Sequence, residues 1–148
     1  MRVAELINAK GSDVITVFGT VRVREAARIM LEQAVGALVV VKPSGQLEGV
    51  ISEREIIAAL ALRAERALDL RMSDLLQPER PSVTPADTVR DAMTIMTERR
   101  VRHLPVISEG SVVGLVSIGD TVKARLSEKI TENLVLQDIA RWPHPIVA

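Results

Sequence analysis

Apolar positions along the chain change their period several times, and each change marks an element. Val23, Ala26, Ala27 and Met30 recur at i, i+3, i+4, i+7, the spacing that places side chains on one face of an α-helix. The same spacing returns at Val89, Ala92, Met93 and Met96. A short β-rich run follows each helix, "ALVVV" at Ala37–Val41 and "HLPVI" at His103–Ile107. After a turn ("KPSGQ", then "SEGS") a second apolar run closes on "VIS" or "LVS", which predicts a hairpin in each place. Ser52 and Ser117 end those runs as N-caps. Further helices are predicted from Ile56, Ile57, Leu60, Ala61 and Ala64, and from Val122, Leu126 and Ile130.

The two series are copies of one another. With one gap in a turn, they agree at Val17/Val83, Val23/Val89, Arg24/Arg90, Ala26/Ala92, Met30/Met96, Leu38/Leu104, Val40/Val106, Gly49/Gly114 and Ser52/Ser117, among others. Upstream, "RVAELI" at Arg2–Ile7 echoes "RMSDLL" at Arg71–Leu76. Such self-similarity is an architectural signal. Each copy reads β-α-β-β-α behind a short helix. A unit of about 60 residues is marginal alone, so the pattern predicts an α/β (α+β) fold of two repeats packed sheet to sheet with pseudo-two-fold symmetry. The repeats are placed at 1–66 and 67–130, with a C-terminal helical extension at 131–148. There Ile130, Leu134 and Leu136 to Ile139 permit a further helix ending at Arg141, before "WPHP". Trp142 reads equally as a plug on the chain's own core or an anchor for a second subunit.

Composition narrows the classes of function. The chain has 148 residues, 47% of them apolar, yet one Phe, one Trp and no Tyr, so aliphatic side chains must build the core. Nineteen basic residues balance nineteen acidic ones, leaving no global field to attract nucleic acid or an anionic membrane. With no cysteine, disulfides, thiolate catalysis and Cys-ligated zinc are excluded. The apolar runs are far shorter than the roughly 20 residues of a membrane span. "MRVAELINAKGSD" is too short and polar for a secretory signal, and a cytoplasmic protein is expected. His103 and His144 are the only histidines, and no HExxH, P-loop, GxGxxG or nucleophile elbow occurs. No catalytic residue, metal site or required cofactor is expected.

The pattern Gly-x-x-Ser-x-x-acid occurs twice, as "GVISERE" (Gly49–Glu55) and "GLVSIGD" (Gly114–Asp120). A serine that closes a strand and opens a helix turns backbone N–H groups and a hydroxyl toward an opening, which suits phosphate oxygens. The first-turn acid can accept two hydrogen bonds at once, as the paired hydroxyls of a ribose require. Ser-x-x-acid is equally the capping box, which satisfies backbone donors and binds nothing. "TERRVRHLPV" adds basic residues. Arg99 and Arg100 suit a solvated helix end, whereas Arg102 and His103 follow the helix and enter the next strand. Pro105 cannot donate to a ladder, so its strand is expected to end or to sit at an edge there.

The duplication, with "RHLPVI" and "GLVSIGDTVKARL" in one half and "VGALVVV…GQLEGVISEREI" in the other, resembles a stand-alone tandem CBS-domain pair, or Bateman module, over residues 1–130. The resemblance implies a sensor of adenosine ligands such as AMP, ADP or ATP. It implies a homodimer shaped as a flat disc, an unidentified protein partner downstream, and no chemistry of its own. It further implies that Asp120 clasps ribose with help from Ser117, and that Arg102 and His103 face phosphates. Leu104 and Val106 then wall an adenine pocket, with Pro105 among the ligand-binding residues and the backbone of Val83, Thr84 and Val17 opposite. Ser52, Glu55 and Arg54 form the first-repeat counterpart. That half departs from the family pattern: Glu55 stands where Asp is usual, Gly19 and Arg22 stand at the Pro85 and Thr88 positions, and "ALVVV" lacks the proline. The Asp120 cleft is therefore expected to bind more tightly. The alternative is an interaction or structural dimer whose clefts are vestigial; an enzyme acting on nucleotides has least support.

Overall fold

The computed structural model describes residues 1–141; Trp142, His144 and their neighbours lie outside the described residues. Helix α1 (Val3–Lys10) leads into β1 (Thr16–Phe18), α2 (Val23–Gln33), β2 (Ala37–Val41), β3 (Leu47–Ser52) and α3 (Glu53–Arg63). Two 3₁₀ turns, Ala64–Asp69 and Met72–Leu75, connect to α4 (Val89–Arg99), β4 (His103–Ser108), β5 (Ser111–Ser117) and α5 (Ile118–Arg141). The mixed α/β order predicted from periodicity is the observed one, except for the leading strand of the second repeat.

In the first repeat β1 runs parallel to β2, and β2 antiparallel to β3. Every residue of β2 is buried, as befits a central strand written entirely in aliphatics. The second repeat keeps the β4–β5 hairpin, but its leading strand shrinks to one parallel bridge, Val83 to Val106. The cause is local: Pro81 and Pro85 flank the bridge, and the Thr84 N–H turns to the Asp87 carboxylate at 2.7 Å. Strand β4 does not end at Pro105. It continues to Ser108, with Pro105 opposite Leu115 and its carbonyl accepting from the Val83 N–H at 3.0 Å. The missing proline N–H falls on that short-bridged edge, where no ladder partner is lost.

The two cores exchange their leading segments. Val3, Leu6 and Ile7 of α1 pack with Val89, Met96, Leu104 and Val116 of the second repeat. Met72 and Leu75 of the linking turn pack with Val23, Met30, Leu38 and Ile51 of the first. Each core thus draws on both sides of the boundary drawn from the duplication, and the halves also meet through β3 and β4.

Helix α5 runs unbroken from Ile118 to Arg141, because no proline and no glycine after Gly119 interrupts it. The separate helix predicted beyond residue 130 is its continuation. The stripe Val122, Leu126 and Ile130 lies on the exposed side, and α5 buries Thr121 and Ala124 instead. Helix α3 likewise buries Ile56 while Ile57 and Leu62 face outward. No helix among the described residues is long and apolar enough to cross a membrane.

Candidate functional site

The Gly-x-x-Ser-x-x-acid stretches place their serines at matched strand-to-helix junctions. In the second repeat the capping box is complete: the Ser117 N–H donates to Asp120 Oδ2 at 2.9 Å, and the Asp120 N–H to Ser117 Oγ at 3.1 Å. In the first, the Ser52 N–H donates to Glu55 Oε2 at 2.8 Å, and the Ser52 hydroxyl donates to the same oxygen. Both acids therefore cap their helices, each through a single oxygen, Glu55 Oε2 and Asp120 Oδ2. Glu55 Oε1 has no hydrogen-bond partner among the described residues.

Around Ser52 and Glu55 lies a cavity of about 510 Å³ that spans both repeats. The first repeat supplies Gly36, Leu47, Gly49, Val50, Ser52, Glu53, Arg54, Glu55 and Ile57; the linker supplies Gln77, Glu79, Arg80 and Pro81. The second repeat supplies Arg100, Val101, Arg102, His103 and Pro105. Helix α4 delivers these last residues by ending at Arg100 in the left-handed conformation, which swings the chain from helix axis into β4. Arg54, Arg80, Arg100 and Arg102 form no ion pair among the described residues, whereas Glu79 pairs with Arg99 at 2.9 Å. The rim therefore carries four guanidinium groups without an ion-pair partner among the described residues, beside the carboxylates of Glu53 and Glu55.

His103 stands between the two repeats. Burial lowers its imidazole below the ordinary histidine value, outweighing Glu55, Asp120 and Glu53, which pull upward; Lys10 adds to the lowering. The ring is neutral at physiological pH and offers one N–H and one lone pair.

Of the residues singled out from sequence, the fold gathers Ser52, Arg54, Glu55, Arg102, His103 and Pro105 in this cavity. Ser117 and Asp120 are not on its wall. Asp120 is held instead by Lys10, whose Nζ lies 2.5 Å from Oδ2 and 2.8 Å from the Leu115 carbonyl. Burial raises the Asp120 carboxyl, but hydrogen bonds from Lys10 and Ser117 outweigh it and hold the group below its usual value. Val17, Val83 and Leu104 are buried in the cores, and Thr84 is exposed beside the Val83 bridge. Sequence reasoning passed over Arg80, Glu79 and Gln77, which read as linker, and Arg100, which read as a solvated helix end. The available signal was the charge density of "QPER" next to a proline turn.

The description "CBS domain" matches this chain twice, at residues 3–62 and 72–127. The CBS domain-containing protein CBSX3, mitochondrial, of Arabidopsis thaliana is 39% identical over 110 residues, 72% of this chain and 53% of that protein. The chain thus spans about half the length of that relative. Among solved structures, the CBS-domain containing protein ATU1752 from Agrobacterium tumefaciens superposes with a TM-score of 0.80 at 35% identity, covering 84% of this chain and 92% of the other. The CBS domain pair of protein MJ0100, solved with 5′-methylthioadenosine and S-adenosyl-L-methionine, superposes at a TM-score of 0.77, covering 86% and 98% of the two chains. At 20% identity, that likeness is one of fold.

Proposed function

This chain belongs to the CBS-domain family and carries the domain twice in tandem; from that premise we propose that it is a regulatory module holding an adenine nucleotide, or a related adenosyl ligand, in the cavity at Ser52. The observation that carries the reading is the joining, in one cavity, of a helix N-terminus and a half-free carboxylate with four arginines that form no ion pair among the described residues. Glu55 Oε1 is free to accept from a ribose hydroxyl, and guanidinium groups match phosphate oxygens in pairs. Val50, Ile57, Val101 and Pro105 offer an apolar wall for a base, and neutral His103 can hydrogen-bond to it. The MJ0100 pair supports the ligand class. The module has no reaction to catalyse; binding energy is its output, passed on as a change in shape or stability.

Titration calorimetry with AMP, ATP and S-adenosyl-L-methionine tests this. ATP is expected to bind, and Arg102→Ala and Glu55→Ala each to weaken it by roughly tenfold to a few hundredfold, since a hydrogen bond to a charged group contributes about 1.5–3 kcal/mol. Saturation at about 100 times the dissociation constant should stabilise the fold by roughly 2.7 kcal/mol. Absence of binding by all three ligands would reject the proposal. One observation favours a second reading, an interaction module with vestigial clefts: Leu31 and Leu62 are 83% and 85% exposed on helices of the first repeat. Under that reading Arg102→Ala leaves every measurable property of the chain unchanged.

A further inference from the structure

The two leading segments of the duplication differ: one is the α-helix Val3–Lys10, the other a 3₁₀ turn that ends at Leu75. Helix α1 docks on the second repeat with Ile7 over Gly114, so close that a Cβ there would lie 2.7 Å from Ile7 Cδ1. Lys10 follows one turn later on the same side. That register brings its Nζ to Asp120 Oδ2 at 2.5 Å and to the Leu115 carbonyl at 2.8 Å. In the counterpart, Leu76 covers Gly49 in the same way, at 2.7 Å. There Pro78 stands where α1 has Ala9, Glu79 stands where it has Lys10, and the 3₁₀ turn ends at Leu75. Proline cannot continue the turn, and an acid could not approach Glu55 in any case. Glu79 goes to Arg99, and the cleft at Glu55 stays open.

We propose that Lys10 is the residue that decides which cleft takes nucleotide: its ammonium occupies the Asp120 carboxylate where ribose hydroxyls would bind, and so closes the second cleft. This rests on the adenine-nucleotide reading of the first cleft. An ammonium–carboxylate bond is stronger than one from a neutral hydroxyl. Lys10 is also tethered by a docked helix, so it acts at high effective concentration. Asp120 Oδ2 accepts from Lys10 and the Ser117 N–H, as Glu55 Oε2 accepts from the Ser52 N–H and hydroxyl, so the two acids differ in the charge of the second donor. On this proposal the preference expected for the Asp120 cleft passes to the cleft at Glu55.

The test is calorimetric stoichiometry with ATP on the full chain. The unaltered protein and Lys10→Arg are expected to take one ATP per chain, and Lys10→Met two. Adding Asp120→Asn to Lys10→Met should remove the second site alone. A carbon-detected NMR titration should also show the Asp120 carboxyl titrating higher in Lys10→Met than in the unaltered protein. One ATP per chain in both the unaltered protein and folded Lys10→Met overturns the inference while leaving the first-cleft reading intact. Loss of ATP on Lys10→Met also overturns it, because Lys10 would then be a ligand contact. No ATP in any variant overturns both.

Discussion

At His103 the chain places a titratable ring against carboxylates on both sides, yet burial dominates and keeps the ring neutral. The folded protein therefore binds a proton at His103 less readily than the unfolded chain does. Where the unfolded state binds more protons, stability rises with pH. The contribution of neutral His103 is thus fully present above the ordinary value of 6.5 and is lost as pH falls below it toward the lowered folded value. Denaturant midpoints between about pH 7.5 and 5.5 should drop more steeply for the unaltered protein than for His103→Gln. Parallel profiles for the two proteins would show that His103 is not the group responsible. Asp120 acts in the same direction in a more acidic window, because its folded value is also lowered.

Among elements, the contact between a leading segment and a β-strand glycine recurs in both halves, Ile7 on Gly114 and Leu76 on Gly49. Neither glycine is needed for a left-handed backbone; each is needed for close approach. A methyl at Gly114 would meet Ile7 Cδ1 at 2.7 Å and Cγ1 at 3.2 Å. Ile7 is packed in the second core, so its tip has little room to swing away. Gly114→Ala is expected to cost about 1–3 kcal/mol by overpacking, read from chemical denaturation. Ile7→Val removes the clashing atom at a cost of roughly 0.5–1.5 kcal/mol. The double variant should therefore be more stable than the sum of the single changes implies. Strict additivity would mean that the two residues do not press on each other.

For the whole molecule, exchange of leading segments makes two marginal units interdependent. Removing either segment would open the core of the other repeat. The same packing leaves apolar side chains outside: Val122, Leu126, Ile130 and Leu134 along α5, with Ile57 and Leu62 on α3. An exposed apolar surface of this extent calls for a partner, and a second copy related by a two-fold axis satisfies it with one self-complementary patch. Sedimentation equilibrium at micromolar concentration should give twice the chain mass of 16.1 kDa. A mass near one chain would remove the dimer and direct attention to a different protein on that face.

Local signals made much of this molecule legible before any coordinates. Helical spacing at Val23–Met30 and Val89–Met96 marked α2 and α4, and the aliphatic run Ala37–Val41 marked a central strand. Both serine–acid pairs could be read as caps, and both do cap. These features depend on neighbours within about a turn of helix or a hairpin, so sequence spacing alone determines them. What the tertiary structure decided lies at long range. The stripe on α5 was visible, but not that it would face outward, because burial depends on which surfaces remain once the cores are filled. Arg102 and His103 stand next to Ser117 in their own repeat's hairpin, yet they line the cavity of Ser52. Lys10 meets Asp120 across the chain only because α1 docks on the repeat to which it does not belong. The proposed preference for the Ser52 cleft rests on that docking. No pattern of spacing could carry it, since Lys10 and Glu79 occupy equivalent places and differ in what the fold sets opposite them.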